Sequence, residues 1–423
     1  MKKIFDRQVK PFFSVIIFGL SNITFFSGFI MLIINNHFQG PIAISIAILI
    51  KRFARFTLDP VFGFLADKYG NKKIFALSII FDIIALLLFL IEQKISIIIA
   101  LFFHGLAHSC FHGKFEVYLY NCIANKLDAI ELKNKIIKSP SRETYQYIIK
   151  PQKIQNNCTY MFRIYSKTLS LYYFLYDIIS AFSAVLASEM LKTQYSYHLI
   201  IYVNIALKII AIMQLFFVKG TIQNKTGQGK HCLLKKDTIL RLFTKNNNLG
   251  YIIIFWAIIN FFGWQFYDIS KMLMLSMKLS NSSIAKICAT ESFAMTLGCI
   301  MSFFLAEKIT LRVAMKMFII IIFTLLCLSF LSSKLIIFGI ILYIFSYATL
   351  ETSVAFELEN YSLTEIRNTV TAISTFITSI LSILFTFLIG IFSEFIGYKI
   401  TFSILYISFF TYSILIYRKV LKH

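Results

Sequence analysis

The sequence predicts an all-α polytopic membrane protein, with twelve transmembrane helices in two six-helix bundles. Three observations predict it. The 423-residue chain is 58% hydrophobic and 17% aromatic, with a mean hydropathy of +0.75, well above the roughly 45–50% apolar content of soluble domains. Apolar runs of about 20 residues, the length a helix needs to cross a bilayer, recur from end to end. The formal net charge of +22 is confined to the gaps between those runs, and to alternate gaps, which is a topology signal. No basic face suited to nucleic acid results, so no nucleic-acid partner is expected; the lipid bilayer is.

The first span, 11–34, follows the basic start MKKIFDRQVK. It outruns a signal-peptide core and no small-residue cleavage site follows, so it reads as a span with its basic flank inside. The second, 42–66, ends at a loop holding Lys68, Lys72 and Lys73, and the third, 74–91, at a loop with only Lys94. The fourth, 95–120, leads into a long basic gap, 125–162. That gap reads as a solvated cytoplasmic loop, with room for a short surface helix near 128–137 on anionic lipid. The fifth, 169–190, is followed by the lone Lys192, and the sixth, 197–218, by a stretch rich in lysine, 219–248. The seventh, 249–274, precedes Lys278; the eighth, 285–305, precedes Lys308 and Arg312. The ninth, 311–332, meets Lys334, and the tenth, 335–358, leads to Arg367. The eleventh, 370–392, meets Lys399, and the twelfth, 400–417, runs into Arg418, Lys419 and Lys422. By the positive-inside rule both termini are cytoplasmic. The units are then 1–218, an N-terminal six-helix bundle; 219–248, a cytoplasmic linker; and 249–423, a C-terminal six-helix bundle.

The seven cysteines are scattered and form no CxxC pair. Neither a disulfide framework nor a zinc site is indicated, and no metal or cofactor is expected.

One short string repeats. FLADK at 64–68 is echoed by FLAEK at 304–308. Each closes the second span of its half and is followed by basic residues. Internal repeats in a membrane protein point to two bundles rocking about a central site. The wider stretch GFLADKYGNKK, at 63–73, resembles the cytoplasmic signature loop of the major facilitator superfamily, G-x-L-A-D-R-x-G-R-K-x. Lys68 and Asn71 stand in place of its two arginines. RNTVTAIS at 367–374 resembles the R-A-T-x-x-S opening of the family's eleventh helix, with Asn368 in place of Ala. The resemblance implies a twelve-helix fold and a conformational latch formed by Gly63, Asp67, Lys68, Gly70, Lys72, Lys73 and Arg367. In physical terms Gly63 would let helices approach, Gly70 would allow a tight turn and Asp67 would face a helix N-terminus. HGKFEVYLYN at 112–121 resembles the S-G-x-x-E-A-x-x-Y-D pattern of a bacterial drug-and-metabolite branch; Gly113, Glu116 and Tyr120 match. Asp59 and Gly63 match the branch's E-x-P-x-G, with the proline displaced to Pro60. The fifth span lacks the glycine–proline motif of many drug/proton antiporters.

Ionisable residues inside spans usually face a cavity or a partner. Three groups stand out. In the second span Lys51, Arg52, Arg55 and Asp59 lie near mid-depth, where Arg55 and Asp59 are one helical turn apart. They read either as an anion-binding site, with Arg52 and Arg55 touching the solute, or as an ion-pair lattice between helices; the lattice is the plainer reading. In the fourth span His104, His108, His112 and Glu116 recur four apart, beside Cys110. They read as a proton relay, a metal site or packing histidines, packing being the plainest. In the C-terminal half Asn260, Trp264, Gln265, Tyr267, Asp268 and Lys271 crowd the seventh span, with Glu291, Glu351 and Glu357 beyond. Asn260, Trp264, Gln265 and Asp268 read as solute contacts, or the aromatics as an interfacial belt. Asp59, His108, His112, Glu116, Glu291 and Glu351 are the candidates for proton coupling.

The resemblance and these charges lead to one expectation: a secondary transporter, not an enzyme. It would move a small solute by alternating access, with a lean toward anionic or zwitterionic metabolites and with protons as a coupling ion. It would act as a monomer in a bacterial inner membrane. A multidrug/proton antiporter is the first alternative. A membrane-embedded histidine metalloenzyme is the second, and the remaining histidines do not form the further histidine boxes it would need.

Overall fold

The structure, a computed structural model, describes residues 16–20, 30, 33–34, 36–38, 40–119, 122–123, 151–190, 196–218, 247–305, 311–361 and 367–421; within these, the side chains of 64, 67–68, 151–164, 262–269 and 352–373 are among those outside the description. Among the described residues every regular element is helical. The long helices are α1 (Pro41–Tyr69), α2 (Asn71–Phe89), α3 (Lys94–Phe111), α4 (Pro151–Met190) and α5 (Ser196–Phe217). They continue with α6 (Asn247–Ser276), α7 (Asn281–Leu305), α8 (Leu311–Leu331), α9 (Ser333–Tyr361) and α10 (Arg367–Leu421). The first expected span contributes described helical pieces at 16–20 and around 33–37.

Local sequence explains the breaks. Pro41 occupies the first turn of α1, where its missing N–H is no loss. Gly70, at φ +89° and ψ 143°, separates α1 from α2 in a conformation that side chains resist. The tight turn expected of it is present. A Cβ on Gly63, by contrast, would meet no described atom within 4 Å, so the close approach expected there is absent from this conformation. The fourth span differs from its expectation. It is broken where His112 turns extended and Gly113 takes φ +77°, and helix resumes over 114–119. The face running from His104 to Glu116 is therefore not one continuous helix face. Helix α4 begins at Pro151, inside the stretch expected to be loop. The eleventh and twelfth spans form one run, α10, bent at Gly397 with φ 78° and ψ 157°.

Packing follows small residues and apolar faces. In the first part of the chain α1 packs on α3, and α2 on α3 and α5; in the second, α9 packs on α6, α7 and α8, and α10 on α6 and α8. Two seams join the parts: α4 runs along α7, and α1 along α10. A Cβ on Gly105 would fall 2.3 Å from the Lys51 carbonyl oxygen, and one on Gly298 would fall 2.3 Å from that of Phe345. Only hydrogen fits, so α3 lies directly on α1 and α7 on α9. The antiparallel α4–α7 seam is stitched by hydroxyl pairs, Ser170 with Ser302 at 3.4 Å, Ser180 with Ser292 at 3.4 Å and Ser188 with Ser282 at 3.0 Å.

One apolar cluster belongs to the C-terminal part, around Ile253, Phe318 and Tyr406. Two more belong to the N-terminal part, around Phe75 and Tyr118 and around Ala54 and Cys110. A fourth crosses between them. Ile44, Ile48 and Ile97 meet Met272, Met274 and Ile284, which closes the end of the molecule where α1 begins and α6 ends. The outer surface is apolar: Phe216 and Phe217 are each 77% exposed and Phe395 78%. Among the described residues five helical segments are long and apolar enough to cross a membrane: Lys94–Leu119, Lys167–Leu186, His198–Phe217, Ser282–Ser302 and Ser374–Arg418. A lipid-facing belt accounts for such a surface where water does not.

Candidate functional site

A cavity of about 210 Å³ lies between the two parts, bounded by α1, α3, α4, α7, α9 and α10. Its walls differ in charge. From α1 come Lys51, Arg52 and Arg55, and from α3 His104 and His108, with His112 at its end. Across from them α4 supplies Tyr172, Tyr173, Tyr176, Asp177 and Ser180, and α9 supplies Tyr347 and Glu351. Ser292 and Met295 of α7 and Thr378, Ser379 and Ser382 of α10 complete the wall, while Glu116 stands beside the histidines. Both parts of the chain therefore build the site.

The basic wall is held by specific bonds. Arg52 donates from Nη1 to the Ser382 carbonyl oxygen at 3.3 Å, bridging α1 to α10 across the seam. Phe56 stacks on Phe376 at 4.7 Å one turn further along. Asp59 turns away from the cavity. Its carboxylate is paired with Lys114, and Ser109 Oγ donates to it at 3.3 Å. Lys114 also donates to the Ser109 carbonyl oxygen at 2.8 Å. Asp59 is thus a lattice partner here, while Arg52 and Arg55 of the same helix face the cavity.

The three histidine rings follow one another edge to face at 5.9 Å and 6.1 Å. His104 Nδ1 lies 2.9 Å from Asp82 Oδ1 of α2, and Lys208 Nζ of α5 lies 2.8 Å from Asp82 Oδ2. Asp82 thus faces two donors, the Lys208 ammonium and the Nδ1–H of His104. Beyond the helix break, Glu116 Oε1 lies 3.2 Å from His112 Nδ1 and accepts from the Tyr173 hydroxyl at 2.9 Å. Among the described residues no group of three or more His, Cys, Asp or Glu side chains is placed to hold a metal ion.

On the far wall, Tyr347 stands between two acceptors, Asn260 Oδ1 at 3.1 Å and Glu351 Oε1 at 3.0 Å. It has one hydrogen to give. The Asn260 amide nitrogen donates to the Trp256 carbonyl oxygen at 3.1 Å, which fixes the oxygen toward Tyr347. Asn260 therefore lies behind Tyr347 and outside the cavity lining. Asp177 Oδ2 is met by the Cys299 thiol at 3.6 Å. Glu291 is buried against α6, where Ser270 donates to its Oε1 at 3.1 Å, and it does not line the cavity.

The side chains of Trp264, Gln265 and Asp268, and of Asp67, Lys68 and Arg367 in the signature region, lie outside the described residues. Lys72 of that region donates to the Phe216 carbonyl oxygen at 3.4 Å, at the end of α5 in its own half. Lys73 sits over the Tyr69 ring at 5.8 Å. Four residues escaped the sequence reading: Asp82, Lys114, Asp177 and Lys208. Asp82, Asp177 and Lys208 are each a lone charge inside an apolar run, which is itself the signal that could have found them; Lys114 lies between His112 and Glu116.

The helix order, the two seams and the shared cavity define a two-bundle membrane architecture, and solved structures share it. The nucleoside transporter NupG matches with a TM-score of 0.63 at 13% identity, covering 97% of this chain and 99% of that one. A D-xylose–proton symporter matches at 0.64 and 9% identity, over 97% of each chain. The human organic anion transporter MFSD10 matches at 0.67 and 10% identity, over 97% of this chain and 99% of that one. No protein-family model matches the sequence, and no curated protein matches it in sequence. The chain has the major facilitator fold.

Proposed function

We propose that the protein is a secondary transporter that moves a small zwitterionic or anionic solute across the membrane by alternating access. The observation that carries the proposal is the cavity between the two parts of the chain, cationic on one wall and carboxylate- and tyrosine-lined on the other. Rocking of two units about such a site exposes it to either side in turn. The full-length likeness to solved transporters of a nucleoside, a sugar and organic anions supports the reading. The moving units are 1–218 and 249–423, linked by 219–248, and the seams α4–α7 and α1–α10 are where they part. Lys51, Arg52 and Arg55 receive the solute's acid group. A multi-pass chain with both termini cytoplasmic fits the lysine distribution of the loops.

Proton coupling runs through Glu351. The Tyr347 hydroxyl has one hydrogen for two acceptors, Asn260 Oδ1 and Glu351 Oε1, so a proton arriving on Glu351 lets the carboxyl donate to Tyr347 while Tyr347 donates to Asn260. Glu116, paired with His112, is the second candidate for coupling on the cavity wall. The test is counterflow into proteoliposomes with a panel of zwitterionic and anionic metabolites, with and without a proton gradient. Accumulation of at least one member, lost in Arg55→Gln and uncoupled from the gradient in Glu351→Gln, is expected. A reconstituted, folded protein that moves none of them, or a proton-driven flux unchanged in Glu351→Gln, would remove the corresponding part of the reading.

A further inference from the structure

We infer that the far wall of the cavity, Asp177 with the tyrosines and Glu351 around it, is a subsite for a protonated amine of the solute. The inference rests on the transport reading above and adds the second pole of its substrate. The starting point is a comparison of the carboxylates buried in the helices. Asp59 has Lys114. Asp82 has Lys208 and His104. Glu116 has the Tyr173 hydroxyl and His112. Asp177 has none of this. It is 3% exposed, it lines the cavity, and its described bond is to a thiol at 3.6 Å, a weak donor. Among the described residues no basic side chain forms an ion pair with Asp177 or Glu351.

A buried carboxylate without a strong donor is costly, and a site that keeps one is built to receive a positive charge. The surroundings define which kind. Glu351 is within electrostatic reach of Asp177 and shares the Tyr347 hydroxyl with Asn260; among the described residues Asp177 is the carboxyl of this wall without a hydroxyl donor. Four tyrosines line this wall, Tyr172, Tyr173 and Tyr176 from α4 and Tyr347 from α9, beside Ser180 and Ser292. Their ring faces attract a cation and their hydroxyls accept N–H donors. Among the described residues no group of three or more His, Cys, Asp or Glu side chains gathers around Asp177. An organic ammonium needs one carboxylate and aromatic faces. The guanidinium groups on α1 stand across the same cavity, so a solute carrying an amine at one end and an acid at the other fits both walls.

Three matched probes test this on the purified full-length protein: phenethylamine, 3-phenylpropionate and phenylalanine. Thermal unfolding in detergent measures binding. Phenethylamine and phenylalanine are expected to stabilise the protein. Asp177→Asn should weaken phenethylamine on the order of tenfold to a hundredfold, the worth of a charge-assisted bond, and leave 3-phenylpropionate within about twofold. Should Asp177→Asn fail to fold, the unaltered protein answers the same question. Dicyclohexylcarbodiimide labels buried carboxyls in their protonated form, and phenethylamine, which would hold Asp177 as the carboxylate, should protect it from labelling where 3-phenylpropionate does not, as read by peptide mass spectrometry. Failure of both amines to bind, equal amine binding in Asp177→Asn, or labelling of Asp177 that the amine leaves unchanged, each overturns the subsite. Transport is separable from it. Asp177-dependent amine binding without phenylalanine counterflow would keep the subsite and remove the transport reading, whereas counterflow of 3-phenylpropionate without amine binding would do the reverse.

Discussion

Lys208→Met is the sharpest test of how the charged residues hold the N-terminal part together. Lys208 has a side-chain exposure of 1% and Asp82 of 7%, and the two are 2.8 Å apart. Removing the ammonium leaves the carboxylate in the helix core with His104 at 2.9 Å as its remaining described partner. Breaking a buried pair from one side costs about 3–5 kcal/mol, because the surviving charge has lost its compensation. Asp82→Asn should cost a similar amount, by stranding Lys208. The double variant strands nothing: methionine keeps the stem of Lys208, and the amide oxygen introduced by Asp82→Asn can still accept from His104 Nδ1. It should lie within about 1 kcal/mol of the parent, since replacing a whole buried pair is often neutral. Reversible unfolding in mixed micelles, followed by circular dichroism, gives the three differences and hence the coupling energy. Two losses that simply add in the double variant, or a Lys208→Met protein as stable as the parent, would refute the reasoning.

Other substitutions probe other parts. Gly298→Val should lower the stability of the folded protein by about 1–3 kcal/mol, because its Cβ would overlap the Phe345 carbonyl oxygen; Gly63→Ala should be neutral, and equal melting of the two in detergent would contradict the packing described. Tyr347→Phe should cost about 1–3 kcal/mol by stripping Asn260 Oδ1 of its donor, while the infrared band of a protonated carboxyl, present in the parent, should vanish in Glu351→Gln; a band unchanged by that substitution places the proton elsewhere. Asp67→Asn should reduce transport sharply with solute affinity retained, and should widen the spin-label distances between the cytoplasmic ends of the two units; unchanged distances and rate would dismiss the latch. Cysteines at Asn36 or Asn281 should react with an impermeant thiol reagent in intact cells and one at Gln228 should not, the reverse pattern inverting the topology.

The fold was legible because its causes are written in composition and period. Runs such as 74–91 have no way to satisfy their apolar surface except lipid or one another, and Gly70 sits where a chain must reverse. What the sequence hid was pairing across distance. Nothing near Asp82 in the chain announces Lys208, more than a hundred residues on, or names Lys114 as the partner of Asp59. Local spacing placed Arg55 one turn from Asp59 on the same helix, and the two are within electrostatic reach; it gave no sign of the lysine beyond the Gly113 break that pairs with the carboxylate from another helix. The same break escaped the histidine reading, which extended a regular helix through His112. Asn260 read as a solute contact because it is polar in an apolar run; it is taken by Tyr347 and its own helix. Asp177 has no charged neighbour in sequence, so only its burial among tyrosines at the cavity marks it out.

The hydroxyl pairs between α4 and α7 carry a mechanical consequence. A seam of interlocked leucines has one good register, and leaving it opens voids. Serines are small, and each can trade its partner for a neighbouring hydroxyl, a backbone carbonyl or a water; Ser188 already reaches both the hydroxyl and the carbonyl oxygen of Ser282, at 3.0 and 3.2 Å. A joint of this kind can change register without opening large voids, like a bearing, so on the transport reading resistance to tilt falls to the apolar plug where Ile44, Ile48 and Ile97 meet Met272, Met274 and Ile284.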